Sequence, residues 1–132
     1  MPELRIYNVF VSHAWEYTDE YYRFVNMLND APNFYWRNFS VPVHDPEGGR
    51  LRQAFIDQTR PTSIVIILSG MYVAYSDWIQ TEIDIATEMD KPILGVMPWG
   101  SERIPQAVQD VADEIVGWNT DSIVRAIGEL AL

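Results

Sequence analysis

Ser63-Ile64-Val65-Ile66-Ile67-Leu68 is the stretch on which the fold turns. It is almost entirely branched aliphatic and shows no alternation of polar and apolar residues. That pattern predicts a central strand of a parallel sheet, covered on both faces. A parallel strand is joined to its neighbours by crossovers, most often helices, and the chain supplies one on each side. Before the strand, Leu51, Ala54 and Phe55 mark a helix that Pro61 ends. After it, Ser69 to Tyr75 bridge to Ser76-Asp77-Trp78-Ile79-Gln80-Thr81-Glu82-Ile83-Asp84-Ile85-Ala86-Thr87-Glu88-Met89. There Ser76 suits an N-cap, Asp77 suits the first turn, and Pro92 marks the far end.

Further out, the same alternation repeats. Ile6 to Ser12 read as a buried strand, followed by a loop from Ser12 to Tyr17. Thr18 caps a helix with the apolar stripe Tyr21, Phe24, Val25 and Leu28, closed by Pro32. Phe34 to Phe39 form a second strand, interrupted by Arg37 and Asn38 and therefore placed at a sheet edge. The loop from Val41 to Gly49 holds two prolines and two glycines and is irregular. Ile93 to Met97 are the fourth strand, followed by Pro98-Trp99-Gly100. Pro105 opens a short helix carrying Val108 and Val111. Ile115 to Trp118 are a short fifth strand, and Thr120 caps a last helix with Ile123, Ile127 and Leu130 on its inner face. Five strands alternating with five helices predict an open parallel sheet with helices on both faces. At this size the expected strand order is the flavodoxin-like 2-1-3-4-5, in a single domain spanning residues 1–132.

Composition narrows the function classes. The chain carries 9 Lys and Arg against 19 Asp and Glu, a net charge of −10. A nucleic-acid or anionic-membrane footprint is therefore not expected, and the dispersed acids read as a solvated surface. The absence of cysteine excludes disulfides, thiol catalysis and zinc-thiolate sites, and fits a cytoplasmic location. No apolar run is long enough to span a membrane, and no signal-peptide pattern opens the chain. The two histidines, His13 and His44, lie far apart in sequence and give no metal signature.

One residue breaks the pattern of the helix from Ser76 to Met89. At about 100° per residue, Trp78, Ile79, Ile83, Ile85, Ala86 and Met89 share an apolar arc. Glu82 projects from the middle of that arc, one turn after Trp78. Burying an unpaired carboxylate costs several kcal/mol or forces it to take up a proton. Two readings fit. Glu82 either bonds to a neighbouring loop or reaches solvent at the helix edge, or it is a functional carboxylate in a cleft beside an aromatic wall. In the expected fold the ligand crevice lies at the carboxyl ends of strands one and three. That places Ser12, His13, Ser69, Gly70 and the start of the Glu82 helix on one rim, beside the loop from Val41 to Gly49.

Two chemistries of this fold fail on the residues. A flavin phosphate calls for a Ser/Thr/Gly-rich loop after strand one, but Trp15, Glu16 and Tyr17 stand there without glycine. A phosphoacceptor receiver needs an Asp at the end of strand three, where Leu68-Ser69 stand. No GxGxxG or Walker loop occurs. Attack at the ribose of a nucleotide remains compatible. Cleavage of a glycosidic bond develops oxocarbenium character, which a carboxylate stabilises. The nicotinamide of NAD is already a cationic leaving group and needs little acid help. Glu82, Trp78 and Ser12 supply a carboxylate, an aromatic wall and a polar rim.

Tyr7-Asn8-Val9-Phe10-Val11-Ser12 resembles the opening box of TIR domains. Ser76-Asp77-Trp78 followed by Glu82 resembles their Ser-x-Trp…Glu helix motif. Val11-Ser12-His13-Ala14-Trp15, Lys91-Pro92-Ile93 and Pro98-Trp99-Gly100 are similar to the small prokaryotic TIR-like family, which includes the NAD-processing component of Thoeris antiphage defence systems. The resemblance runs over nearly the whole chain. Two positions depart from the wider TIR pattern: His13 replaces a common aromatic, and Ile79 replaces a common cysteine.

The resemblance implies a TIR fold and a catalytic role for Glu82. It implies NAD as substrate rather than as cofactor, and a cyclic ADP-ribose isomer as the product that activates a separate effector. Ser12, His13, Asp45, Ser69 and Trp78 are the candidate substrate-binding residues. Four of them have a plainer alternative: Ser12 a strand end, His13 a loop hydrogen bond, Asp45 with His44 a solvated turn or a self-association surface, and Trp78 core packing. Trp99, after strand four, is either exposed at the same end of the sheet or packed under a loop. The rival class is an adaptor acting by TIR–TIR contacts, with Glu82 a buried structural acid. A third reading is a flavodoxin-like nucleotide binder without turnover.

Overall fold

A computed structural model describes residues 5–12, 18–39, 49–68, 76–97 and 106–132. At residues 18–20, 49–52, 54, 76–79 and 107 it describes the backbone alone. Among the described residues five strands, β1 (Ile6–Ser12), β2 (Tyr35–Asn38), β3 (Ile64–Leu68), β4 (Ile93–Met97) and β5 (Glu114–Gly117), form one sheet. All pairings are parallel and the order is β2-β1-β3-β4-β5. The helices are α1 (Thr18–Asp30), α2 (Gly49–Thr59), α3 (Ser76–Glu88), α4 (Gln106–Val111) and α5 (Thr120–Leu130). The expected doubly wound α/β architecture is therefore present.

Burial follows position in the sheet. Every residue of β3 is buried, as its unbroken aliphatic run requires. β2 lies at the edge, where Tyr35 is half exposed. Successive side chains of a strand point to opposite faces. Phe10 of β1 accordingly meets Phe55 of α2 edge-on, 6.1 Å between centroids. On that face α2 packs against α3, and α3 against α4. On the other face α1 packs against α5, and Phe24 of α1 meets Trp118, just before α5, at 5.9 Å. The crowding is tight at Gly95 of β4. A Cβ there would stand 3.1 Å from Ile115 Cγ1 and 3.2 Å from Val108 Cγ1. The missing side chain lets α4 lie close over β4 and β5.

Several element ends differ from the sequence expectation by one residue, among them both ends of β2, the start of β3 at Ile64 and the end of α3 at Glu88. Two further differences have a visible cause. The fifth strand runs from Glu114 to Gly117 rather than from Ile115 to Trp118, because Trp118 turns inward onto Phe24. The cap of α5 is Asn119, whose Oδ1 accepts the Ser122 amide at 3.0 Å, and Thr120 is already helical. The end of α3 is set by Asp90, in the left-handed region at φ 56°. The Lys91 amide donates to Ala86 C=O at 2.9 Å and the Asp90 amide to Thr87 C=O at 3.1 Å. These are the paired bonds of a Schellman cap. Lys91 Nζ then donates to the carbonyls of Arg60 and Thr62, at 2.9 and 2.8 Å, tying the end of α3 to the entry of β3. No described helix is long and apolar enough to cross a membrane.

Candidate active site

The strand order switches between β1 and β3, the point at which an open α/β sheet is expected to place a ligand crevice at the carboxyl ends of its strands. The segments that follow these two strands, residues 13–17 and 69–75, lie outside the described residues. Ser12 ends β1 at that switch and is paired in register with Ile67 of β3. It lies on the same face as Phe10, two residues earlier, and that face is the one covered by α2 and α3. Glu82 meets Ser12 from α3. Its neighbours Ile83, Ile85 and Ala86 are buried, so the helix cannot rotate Glu82 to solvent without exposing them.

Ser12 is 0% exposed and Glu82 7%. Neither Ser12 Oγ nor Glu82 Oε2 has a hydrogen-bond partner of ordinary geometry among the described residues. The carboxyl is pushed up to about 8 from its ordinary 4.5 because burial disfavours its charged form; the Ser12 hydroxyl beside it pulls the other way and only partly compensates. The hydroxyl is thus close enough to favour the carboxylate without completing a well-formed bond to it. The ion pairs among the described residues join Arg125 to Glu114 and to Glu129, each at 2.8 Å, and none involves Glu82. A third buried polar atom without a partner, Asn8 Oδ1, lies lower on the same face of β1, where Asn8 Nδ2 donates to Pro61 C=O at 3.1 Å.

Two neighbouring buried oxygens without partners are uncommon, because buried polar groups are ordinarily satisfied. Chemically the pair offers one hydroxyl and one carboxyl that carries a proton near neutrality. Both are free to bond to a polar group that enters.

Of the residues expected at the site, Ser12 and Glu82 are brought together. Trp78 stands one turn before Glu82 in the backbone of α3, with its side chain outside the described residues. His13, Asp45 and Ser69 lie outside the described residues, as do His44 and Trp99. Among the described residues no three His, Cys, Asp or Glu side chains gather to hold a metal ion.

A second concavity, of about 580 Å³, was not anticipated from the sequence. It lies at the opposite end of the sheet, lined by Asp90, Lys91, Asp110, Asp113, Glu129 and Leu132 among others. Several of its charges are already engaged. Asp113 Oδ2 accepts the Ile93 amide at 2.8 Å, and Lys91 is tied to two carbonyls. The run of acids from Asp110 to Glu114 hints at it, but its walls come from three separate segments.

A family model described as the TIR-like domain of the Thoeris protein ThsB matches residues 10–103, a span that contains both Ser12 and Glu82. Among solved structures, the CMP N-glycosidase BcmB of Clostridium botulinum is similar, with a TM-score of 0.57 and 17% identity. The likeness covers 92% of this chain and 98% of that one, and at this identity it is a likeness of fold. No curated protein sequence matches the chain.

Proposed function

Because the chain belongs to the family of the Thoeris protein ThsB TIR-like domain, we propose that it cleaves the N-glycosidic bond of NAD, releasing nicotinamide and closing the remainder into a cyclic ADP-ribose-type signal. Such a signal activates a downstream effector in antiphage defence. The observation that carries this reading is the juxtaposition of Glu82 and Ser12. A buried carboxyl with an oxygen to spare faces a buried hydroxyl with no partner, at the switch point of the sheet.

The chemistry is a dissociative displacement at the anomeric carbon. The bond from ribose C1′ to the pyridinium nitrogen breaks, and its electron pair leaves with neutral nicotinamide. Positive charge develops on C1′ and the ring oxygen. The Glu82 carboxylate stabilises that charge in a site from which water is excluded, where electrostatic effects are strongest. A nucleophilic O–H or N–H group of the same ADP-ribose then bonds to C1′ and loses its proton to solvent, completing the cyclic product, while water in that position, losing a proton likewise, would give ADP-ribose. Ser12 orients the carboxylate and offers a hydrogen bond to the sugar. Support from outside the site is the shared fold of the CMP N-glycosidase, a protein whose activity is also cleavage of an N-glycosidic bond in a nucleotide.

The test is to incubate the purified protein, and lysates of phage-infected cells expressing it, with NAD and separately with CMP. Free base and nucleotide products are read by chromatography and mass. NAD should disappear with release of nicotinamide and a product lighter than ADP-ribose by one water. Release of cytosine from CMP with NAD untouched would replace NAD by a pyrimidine nucleotide. Inertness towards both, in a protein that still binds other TIR chains, would leave the adaptor reading.

A further inference from the structure

We propose that the Glu82 site selects its substrate by charge: an N-glycosylpyridinium supplies the counter-ion that the described residues lack, and the Glu82 carboxyl gives its proton to solvent as that cation enters. This rests on the reading of the chain as an NAD-cleaving enzyme and narrows it. Quaternary pyridinium glycosides drive the site into its ionised form, and glycosides of neutral bases do not.

The geometry supplies the reasons. Glu82 Oε2 is buried without a partner, and the hydroxyl opposite it is equally unpartnered. The charged groups on the elements packed around it lie elsewhere. Asp57 and Arg60 at the end of α2, Asp84 and Glu88 on α3, and Asp110 on α4 are all exposed. β3 carries no ionisable residue, and Tyr7 of β1 faces away, stacked on Phe34 at 5.4 Å. Arg50, Arg52 and Asp77 belong to α2 and α3, with side chains outside the described residues. Among the described residues, burial and the Ser12 hydroxyl set the state of the carboxyl, and burial is the larger.

An ionised carboxylate in such a place is strongly disfavoured unless an opposite charge offsets it. A pyridinium ring carries that charge on the bond to be broken. A neutral base, or the dihydropyridine of reduced NAD, does not, so against those ligands the carboxyl keeps its proton. The O–H bond of the carboxyl breaks on cation binding, its electron pair stays on Glu82, and the proton passes to buffer. Substrate binding thus also produces the charged form that stabilises the oxocarbenium ion.

The experiment is calorimetric titration of the purified full chain at about pH 7 with carbocyclic NAD, whose pyridinium is intact and whose glycosidic bond does not cleave. Parallel titrations use NADH. Each is run in two buffers of different ionisation enthalpy, so that the protons exchanged are counted. Carbocyclic NAD should release close to one proton per site. Its affinity should rise roughly tenfold per pH unit and level off above about 8. NADH should release none and show no such rise. Glu82→Gln should abolish the release; should that variant not fold, the comparison of the two ligands on the unaltered chain decides alone. Binding of carbocyclic NAD without proton release, equal release with NADH, or no binding of carbocyclic NAD by protein that cleaves NAD overturns the proposal and leaves the enzymatic reading standing. The first of these results is also what a counter-charge supplied by the chain itself would give. Failure both to bind carbocyclic NAD and to cleave NAD removes both.

Discussion

Glu82 works against the stability of the fold that holds it. Its carboxyl ionises near 4.5 when exposed and near 8 in the folded chain, so the native state binds the proton more tightly than the unfolded one. The favourable contribution of that proton is full below 4.5 and is lost as pH rises through 8. Glu82→Gln, which keeps the shape and removes the charge, should match the parent in acid. It should exceed it increasingly from about pH 5 upward, by about 3–5 kcal/mol in the alkaline limit, as read by denaturant midpoints across pH. Ser12→Ala removes the group that favours the carboxylate. The acid limb of kcat/KM should therefore move to higher pH, with little change in stability, because the lost hydroxyl has no partner to strand. Glu82 was legible in the sequence because it interrupts an apolar helical arc, and Ser12 because it ends an apolar strand. That both lack partners was not legible. It depends on what the neighbouring elements present to the crevice, which spacing along one helix does not encode.

At the level of elements, the ends of α3 and β3 are coupled by Lys91, which joins the α3 cap to the carbonyls of residues 60 and 62. The weak point of that join is Asp90, a residue with a Cβ held at φ 56°. Glycine adopts this conformation without penalty, so Asp90→Gly should raise stability by about 0.5–1 kcal/mol, measured by chemical denaturation. Should it lower stability, the Asp90 side chain contributes more than its backbone costs. The elements themselves were legible where one period dominated. β3 has no polar interruption, and the Ile123, Ile127 spacing marks α5. Ends were less so. Asn119 and Thr120 are both good caps, and the choice falls to Asn119, whose amide donates to Gly117 C=O where β5 stops. Trp118 has strand propensity, but its large ring finds more apolar contact on Phe24 than it would in a strand at the sheet edge.

For the molecule as a whole, strict alternation of strands and helices made the topology readable, since right-handed parallel crossovers leave few arrangements of five strands. The cleft at the far end of the sheet was not readable, because its lining is assembled from segments distant in sequence. The position of Ser12 and Glu82 beside the switch of strand order between β1 and β3 was readable, because that switch is where the fold is expected to leave its ligand crevice. The central claim is that this crevice is a catalytic site with Glu82 as its reacting carboxylate. The most direct measurement is NAD consumption by the wild-type chain and by Glu82→Gln, each shown to be folded, with nicotinamide and the nucleotide product quantified together. Nicotinamide release by the wild type, reduced at least about 100-fold in the variant, is the expected result. Equal turnover by the two folded proteins would contradict it.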